Sequence, residues 1–216
     1  MVAYPLVFIL LLIATSAGVT LYDESISGDL SNSSALPTAL GELTNGENVV
    51  VGVLNEESLF NYPDVFSFSI SSGYVLSSIT FSIDSSDQAH FLAFHDSAGE
   101  FTYTDEYLFA ALVSSNQNGS NILDTFADGG SVAQDNGLPA PRGYTLPLGE
   151  GDYALWFQET NQQEINYTFT LTTVAVPEPS SLTLLLVTSW GTLLRRRRNF
   201  FASHRTTRLS QPCNTI

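Results

Sequence analysis

The sequence contains no lysine, and its basic residues are seven arginines. Arg142 alone lies in the body of the chain; the others follow residue 194. Between Gly18 and Val176, 21 carboxylates face that one arginine, a formal charge of −20 in a chain whose total is −15. So acidic a surface repels a phosphate backbone, which excludes nucleic acid as a partner. It also keeps an exported protein soluble and favours divalent cations. Cysteine is nearly absent. Cys213 is the single one, so no internal disulfide forms and stability must come from packing. Helical periodicity is missing too: no window of ten residues between 49 and 174 repeats its apolar residues at helical spacing. With 44% apolar residues the chain can still build a core, so wholesale disorder is excluded.

What the body does have is alternation. In DVFSFSI, Phe66, Phe68 and Ile70 share one face, with Ser67 and Ser69 on the other. Ile79, Phe81 and Ile83 alternate with Ser78, Thr80 and Ser82 in the same way. Ile165, Tyr167, Phe169 and Leu171 alternate with Asn166, Thr168, Thr170 and Thr172. These are half-buried strands with a hydroxyl outer face. Further strands are expected over 48–54, 89–95, 107–113, 143–148 and 153–158, separated by turn-forming Gly, Ser and Asp. About eight short strands predict an all-β fold, an antiparallel β-sandwich of jelly-roll-like form spanning 48–175. A closed barrel would give the same pattern. Residues 18–47, rich in Ser, Gly and Asn, read as a loose leader with at most one edge strand. Residues 116–142 read as a long loop.

The two ends differ from the body. An apolar run over 5–14 leads to Ala14-Thr15-Ser16-Ala17, the plan of a secretory signal peptide over 1–17 cleaved after Ala17. An uncleaved anchor is the alternative, but the run is short for a span. Near the other end, the apolar residues 182–194 are followed by Arg195, Arg196, Arg197 and Arg198. Pro177 and Pro179 stop a helix from extending backwards. The expected result is a single short transmembrane helix, 181–194, with the body outside and the arginines at the cytoplasmic face. A cytoplasmic tail, 199–216, follows.

This ending resembles the PEP-CTERM sorting signal of exported bacterial proteins. The residues that carry the resemblance are Pro177, Glu178 and Pro179, the apolar helix, and the four arginines, within 176–198. The chain departs from the pattern in the 18 residues after Arg198. The resemblance implies recognition by an exosortase, a membrane-embedded protease or transpeptidase, in a Gram-negative bacterium that makes exopolysaccharide. The protein would pass through an inner-membrane intermediate to the cell surface or the extracellular space. The body is similar to pre-peptidase C-terminal-like sandwiches in Asp64-Val-Phe-Ser-Phe, in Asp96-Ser97-Ala98-Gly99 and in Gly151-Asp152-Tyr153.

The search for chemistry yields little. His90 and His95 are five apart and fall on opposite faces of a strand, so they cannot share a metal within it. Neighbours such as His95, Asp96 and Ser97 point apart along an extended chain and form no triad. Asp124, Asp128 and Asp135 in the long loop are candidate oxygen ligands for calcium, without EF-hand spacing. Alternation sets Tyr153, Leu155 and Phe157 on one face and Trp156 on the other. If the first set is core, Trp156 is exposed and could stack on a sugar ring, unless another segment covers it. The expectation is a non-enzymatic surface or matrix protein with no obligate cofactor. A carbohydrate- or calcium-dependent binding module is the alternative, and a secreted hydrolase the weaker one.

Overall fold

The computed structural model describes residues 18–54, 63–84, 89–97, 99, 107–130, 140–160 and 164–177. The chain divides after Val176 into two units. The first holds all the sheet structure below; of the second, only Pro177 is described.

Among the described residues nine strands form two sheets: β1 (Val19–Asp23), β2 (Thr38–Glu42), β3 (Gly46–Leu54), β4 (Asp64–Ile70), β5 (Tyr74–Ile83), β6 (His90–His95), β7 (Phe109–Val113), β8 (Gly151–Gln158) and β9 (Ile165–Ala175). The first sheet has the order β1-β3-β9-β5 and the second β2-β4-β8-β6-β7. Among the described residues helix is confined to single turns, α1 (Glu24–Ser27), α2 (Ile122–Thr125) and a 3-10 turn at Ser115–Gln117. The fold is all-β and sandwich-like. Its inner faces are the apolar sets that alternation picks out. Phe157 and Phe169, from opposite sheets, meet edge-on with ring centroids 5.4 Å apart, and Phe66 lies 6.0 Å from Phe169. Phe94 stacks on Tyr153 at 5.5 Å. Such aromatic pairs each add about 0.5–1.5 kcal/mol beyond the area they bury.

The sheets are mixed, which corrects the expected antiparallel arrangement. β1 runs parallel to β3, and β2 runs parallel to β4. Each pair is joined by a long connection, over residues 24–45 and 43–63, instead of a hairpin, and a parallel pair requires such a connection. The leader is therefore not loose. It lays one strand on the edge of each sheet, and Leu30 and Leu43 are buried in the core. The expected strand over 143–148 is reduced to a bridge between Leu148 and Leu76.

The remaining two edges are sealed by the long loop. The side chain of Asn118 accepts from Ile83 N (3.0 Å) and donates to Ile83 O (2.9 Å), as a neighbouring strand would. Asn121 Oδ1 accepts from Ile79 N (3.1 Å), and Gly119 N donates to Phe81 O. These contacts cap the outer edge of β5. On β7, Ala110 N donates to Gly129 O, while Tyr107 O and Leu108 O, just before the strand, accept from Arg142 N and Gly143 N. Gly130 has φ +73°, and a Cβ there would stand 2.7 Å from Ala110 O, so only glycine lets the chain pass this close.

Candidate functional site

Alternation along β4 puts Asp64 on the same face as Phe66, Phe68 and Ile70, pointing between the sheets. It is 4% exposed. From the opposite sheet, Tyr167 on β9 donates its hydroxyl to Asp64 Oδ2 at 2.7 Å. The ring of Tyr167 crosses its register partner on β3, Gly52. A Cβ at Gly52 would lie 2.2 Å from the Tyr167 oxygen, so the missing side chain makes room for the phenol.

The N-terminal segment closes the site. β1 ends at Asp23, which pairs with Val51. The next donor on that edge of β3, Val53 N, has no β1 acceptor to meet, and Glu24 supplies one through Oε2 at 2.5 Å. Glu24 Oε1 accepts from Leu30 N at 2.7 Å. Asp23 caps the α1 turn by accepting from Ser25 N. The turn leads round to Asp29, and carboxylate oxygens of Glu24, Asp29 and Asp64 all lie within 4.8 Å of one another.

Burial, and then the charges of Glu24 and Asp29, push Asp64 up to about 8, against the lowering effect of the Tyr167 hydrogen bond. Burial also raises Glu24, although two backbone N–H groups favour its charged form. Tyr167 is driven well above its ordinary value by burial and by Asp64. Tyr22 on β1 is raised by burial and by the same three acids. The body's one arginine does not help: Arg142 Nη2 bonds Asp96 Oδ2 at 2.6 Å. Of the three carboxylates Asp64 is buried, Glu24 half-buried and Asp29 exposed, so their repulsion weighs most against ionisation of Asp64.

The residues expected from sequence lie elsewhere. Trp156 is not the exposed platform that alternation suggests; it is 4% exposed. The outer face of the second sheet carries its own apolar cluster of Val65, Ala93, Tyr107, Ala110, Ala154 and Trp156. Phe91 meets Trp156 edge-on, and the indole N–H donates to Gln158 Oε1 at 3.0 Å. No stacking face is left for a sugar. In the loop, Asp124 Oδ2 accepts from Asn121 Nδ2 at 2.8 Å, and Asp128 Oδ1 accepts from Gly130 N at 3.3 Å. They stay near Tyr144, whose phenol is raised by burial and by both acids, but they do not meet in a ligand set among the described residues. Asp135 lies outside the described residues, as do Glu178, Pro179, Arg195, Arg196, Arg197 and Arg198.

His90 and His95 point to opposite faces. His90 packs edge-on against Phe157 in the core and is lowered by burial despite Glu159. His95 packs against Tyr107 on the outer side. Asp96 is lowered: burial acts to raise it, but the hydrogen bond and charge of Arg142 outweigh that.

Sequence reasoning did not single out Glu24, Asp29 or Tyr167. One signal was readable. Asp64 is an acid at an inward position of a strand, and a buried acid needs a partner. Comparison with protein-family models, with curated proteins and with solved structures found no match. Among the described residues, no helix is long and apolar enough to cross a membrane.

Proposed function

We propose that this chain is an exported, non-enzymatic protein of the cell surface or extracellular matrix, sorted through its C-terminal end. The observation that carries the reading is the series in 177–198: Pro177-Glu178-Pro179, a short apolar run, then four adjacent arginines. The apolar run and small residues at the other end agree with export. A body with −20 charges and no cysteine suits the same route, since it stays soluble and needs no thiol protection outside the cell. An exosortase-type protease is the partner this reading requires. The test is the intact mass of the protein recovered from the producing organism. Loss of 1–17 and of the arginine end is expected; retention of Trp190 with the four arginines would overturn it.

A second reading, a module that contacts neutral polysaccharide, is favoured by the outer face of the first sheet. Thr168, Thr170 and Thr172 on β9 lie beside Ser82, Thr80 and Ser78 on β5 and, on the other side, beside Val51, Val49 and Glu47 on β3. Within this acidic body the centre of that face is uncharged and offers hydroxyl donors and acceptors. Charging its middle by Thr170→Glu should abolish retention on the organism's own matrix polysaccharide. Unchanged retention would remove this face from consideration.

A further inference from the structure

We propose that Asp64 holds a proton shared with Glu24 and Asp29, and that losing this proton releases the N-terminal segment, residues 18–30, from the two sheets. The inference stands on the geometry of the cluster and is independent of the export reading. The three acids belong to two different bodies of structure. Glu24 and Asp29 ride on the N-terminal segment, whereas Asp64 sits on β4 inside the sandwich. Repulsion among them therefore acts across the seam by which the segment is docked.

That seam is thin. It consists of the parallel pairing of β1 with β3, the hydrogen bond that Glu24 accepts from Val53 N, the packing of Leu21 and Tyr22 against the core, and burial of Leu30. Val19 at its start is 43% exposed, and no residue of α1 is buried. The groups facing Asp64 among the described residues are Glu24 on α1, Asp29 after it, Tyr22 on β1 and Tyr167 on β9. None of them carries positive charge. Glu24 accepts two backbone N–H bonds, which suit its ionised form. Tyr167 holds one oxygen of Asp64. The proton then belongs on Asp64, the most buried of the three, where an isolated charge is costliest.

The direction follows from linkage. The docked state binds the proton more tightly than a state in which the segment has left and Asp64 is solvated. Docking is thus firmest in acid, weakens as pH rises above the ordinary carboxylate range, and reaches its weakest once Asp64 has ionised, near pH 8. Release bares the edge of β3, a nine-residue strand, so the group works as a latch on a sheet edge.

The experiment is amide hydrogen exchange by mass spectrometry on the full chain, from pH 5 to 9, in chelator so that no metal ion replaces the proton. Rates are corrected for the pH dependence of intrinsic exchange. Protection of peptides covering 19–30 and 48–53 should fall by up to about tenfold per pH unit between about pH 5 and 8, the limit for one proton. Peptides from β8 should stay level. Asp64→Asn should keep the segment protected across the range. Should that variant not fold, Asp29→Asn at an exposed position removes one neighbouring charge and should move the midpoint to lower pH. Level protection in the unaltered chain, or an unmoved slope and midpoint in the variants, would overturn the proposal.

Discussion

The outer faces of the two sheets begin from one sequence rule and end as opposites. Both sheets are built from strands that alternate. On the first, the outward positions of β9 and β5 are threonine and serine, and the face meets solvent. On the second, the outward positions include Val65, Ala93, Ala154 and Trp156, all under 5% exposed. Alternation fixes which side chains share a face. It does not say whether that face is left open. On the second sheet the small residues Ala93, Ala110 and Ala154 leave room for Tyr107, Phe91 and the Trp156 indole to form a satellite core. The chain that runs beside β7, at Gly129, Arg142 and Gly143, borders this cluster.

The sharpest way to break the comparison is to cut one residue from each face. Trp156→Ala empties the satellite core and removes the donor to Gln158 Oε1, so it should cost about 3–5 kcal/mol. Thr170→Ala, on the open face of β9, should cost no more than about 0.5–1 kcal/mol. Denaturant midpoints of the two variants measure the contrast. Equal losses would mean that both faces are covered to the same degree.

The same contrast explains what was legible. β5 and β9 follow directly from their period, because each buries one face of a long strand; β4 has the same period although its outward Val65 and Ser67 are buried as well. β1 and β2 carry no such mark. Their exposed and half-buried residues become strands only by pairing with distant β3 and β4, and pairing partners are not written in a local window. The acid cluster was half readable. Asp64 declares itself by its inward position, but Glu24 and Asp29 look like any of 21 acids until the chain folds back on β3. Trp156 was assigned to the right face and the wrong environment, because periodicity carries no information about cover.

The long loop touches both sheets, and its two halves test whether their edges are sealed alike. On β5 the seal is made largely by side chains, beside the one backbone bond from Gly119 N to Phe81 O: Asn121 bonds Ile79 N, its Nδ2 donates to Ser77 O (3.4 Å), and the same carboxamide oxygen caps α2 by accepting from Leu123 N at 3.2 Å. Asn121→Ala should therefore strip an edge bond and a helix cap at once, a loss of about 1–3 kcal/mol. On β7 the seal is backbone to backbone, so no side-chain truncation should remove it. Hydrogen exchange at Ile79 should rise markedly in Asn121→Ala while Ala110 stays protected.

The smallest effect is expected where the loop meets the second sheet through charge. Arg142 and Asp96 form the body's one arginine–carboxylate pair among the described residues, with both side chains about 40% exposed. Such pairs are screened and contribute little, so Arg142→Gln should cost about 0–1 kcal/mol in the denaturant midpoint. The backbone bond from Arg142 N to Tyr107 O is retained in that variant, which isolates the charge. Asp96 should titrate closer to its ordinary range once the guanidinium is gone, visible in its side-chain carboxyl chemical shift against pH. Because its folded pKa is depressed by Arg142, whatever stability the pair contributes is present above the ordinary Asp range and fades as pH falls through the depressed value. That direction is opposite to Asp64. One acidic body thus holds a carboxylate that stabilises when charged beside its only arginine, and another that stabilises when neutral where no arginine reaches.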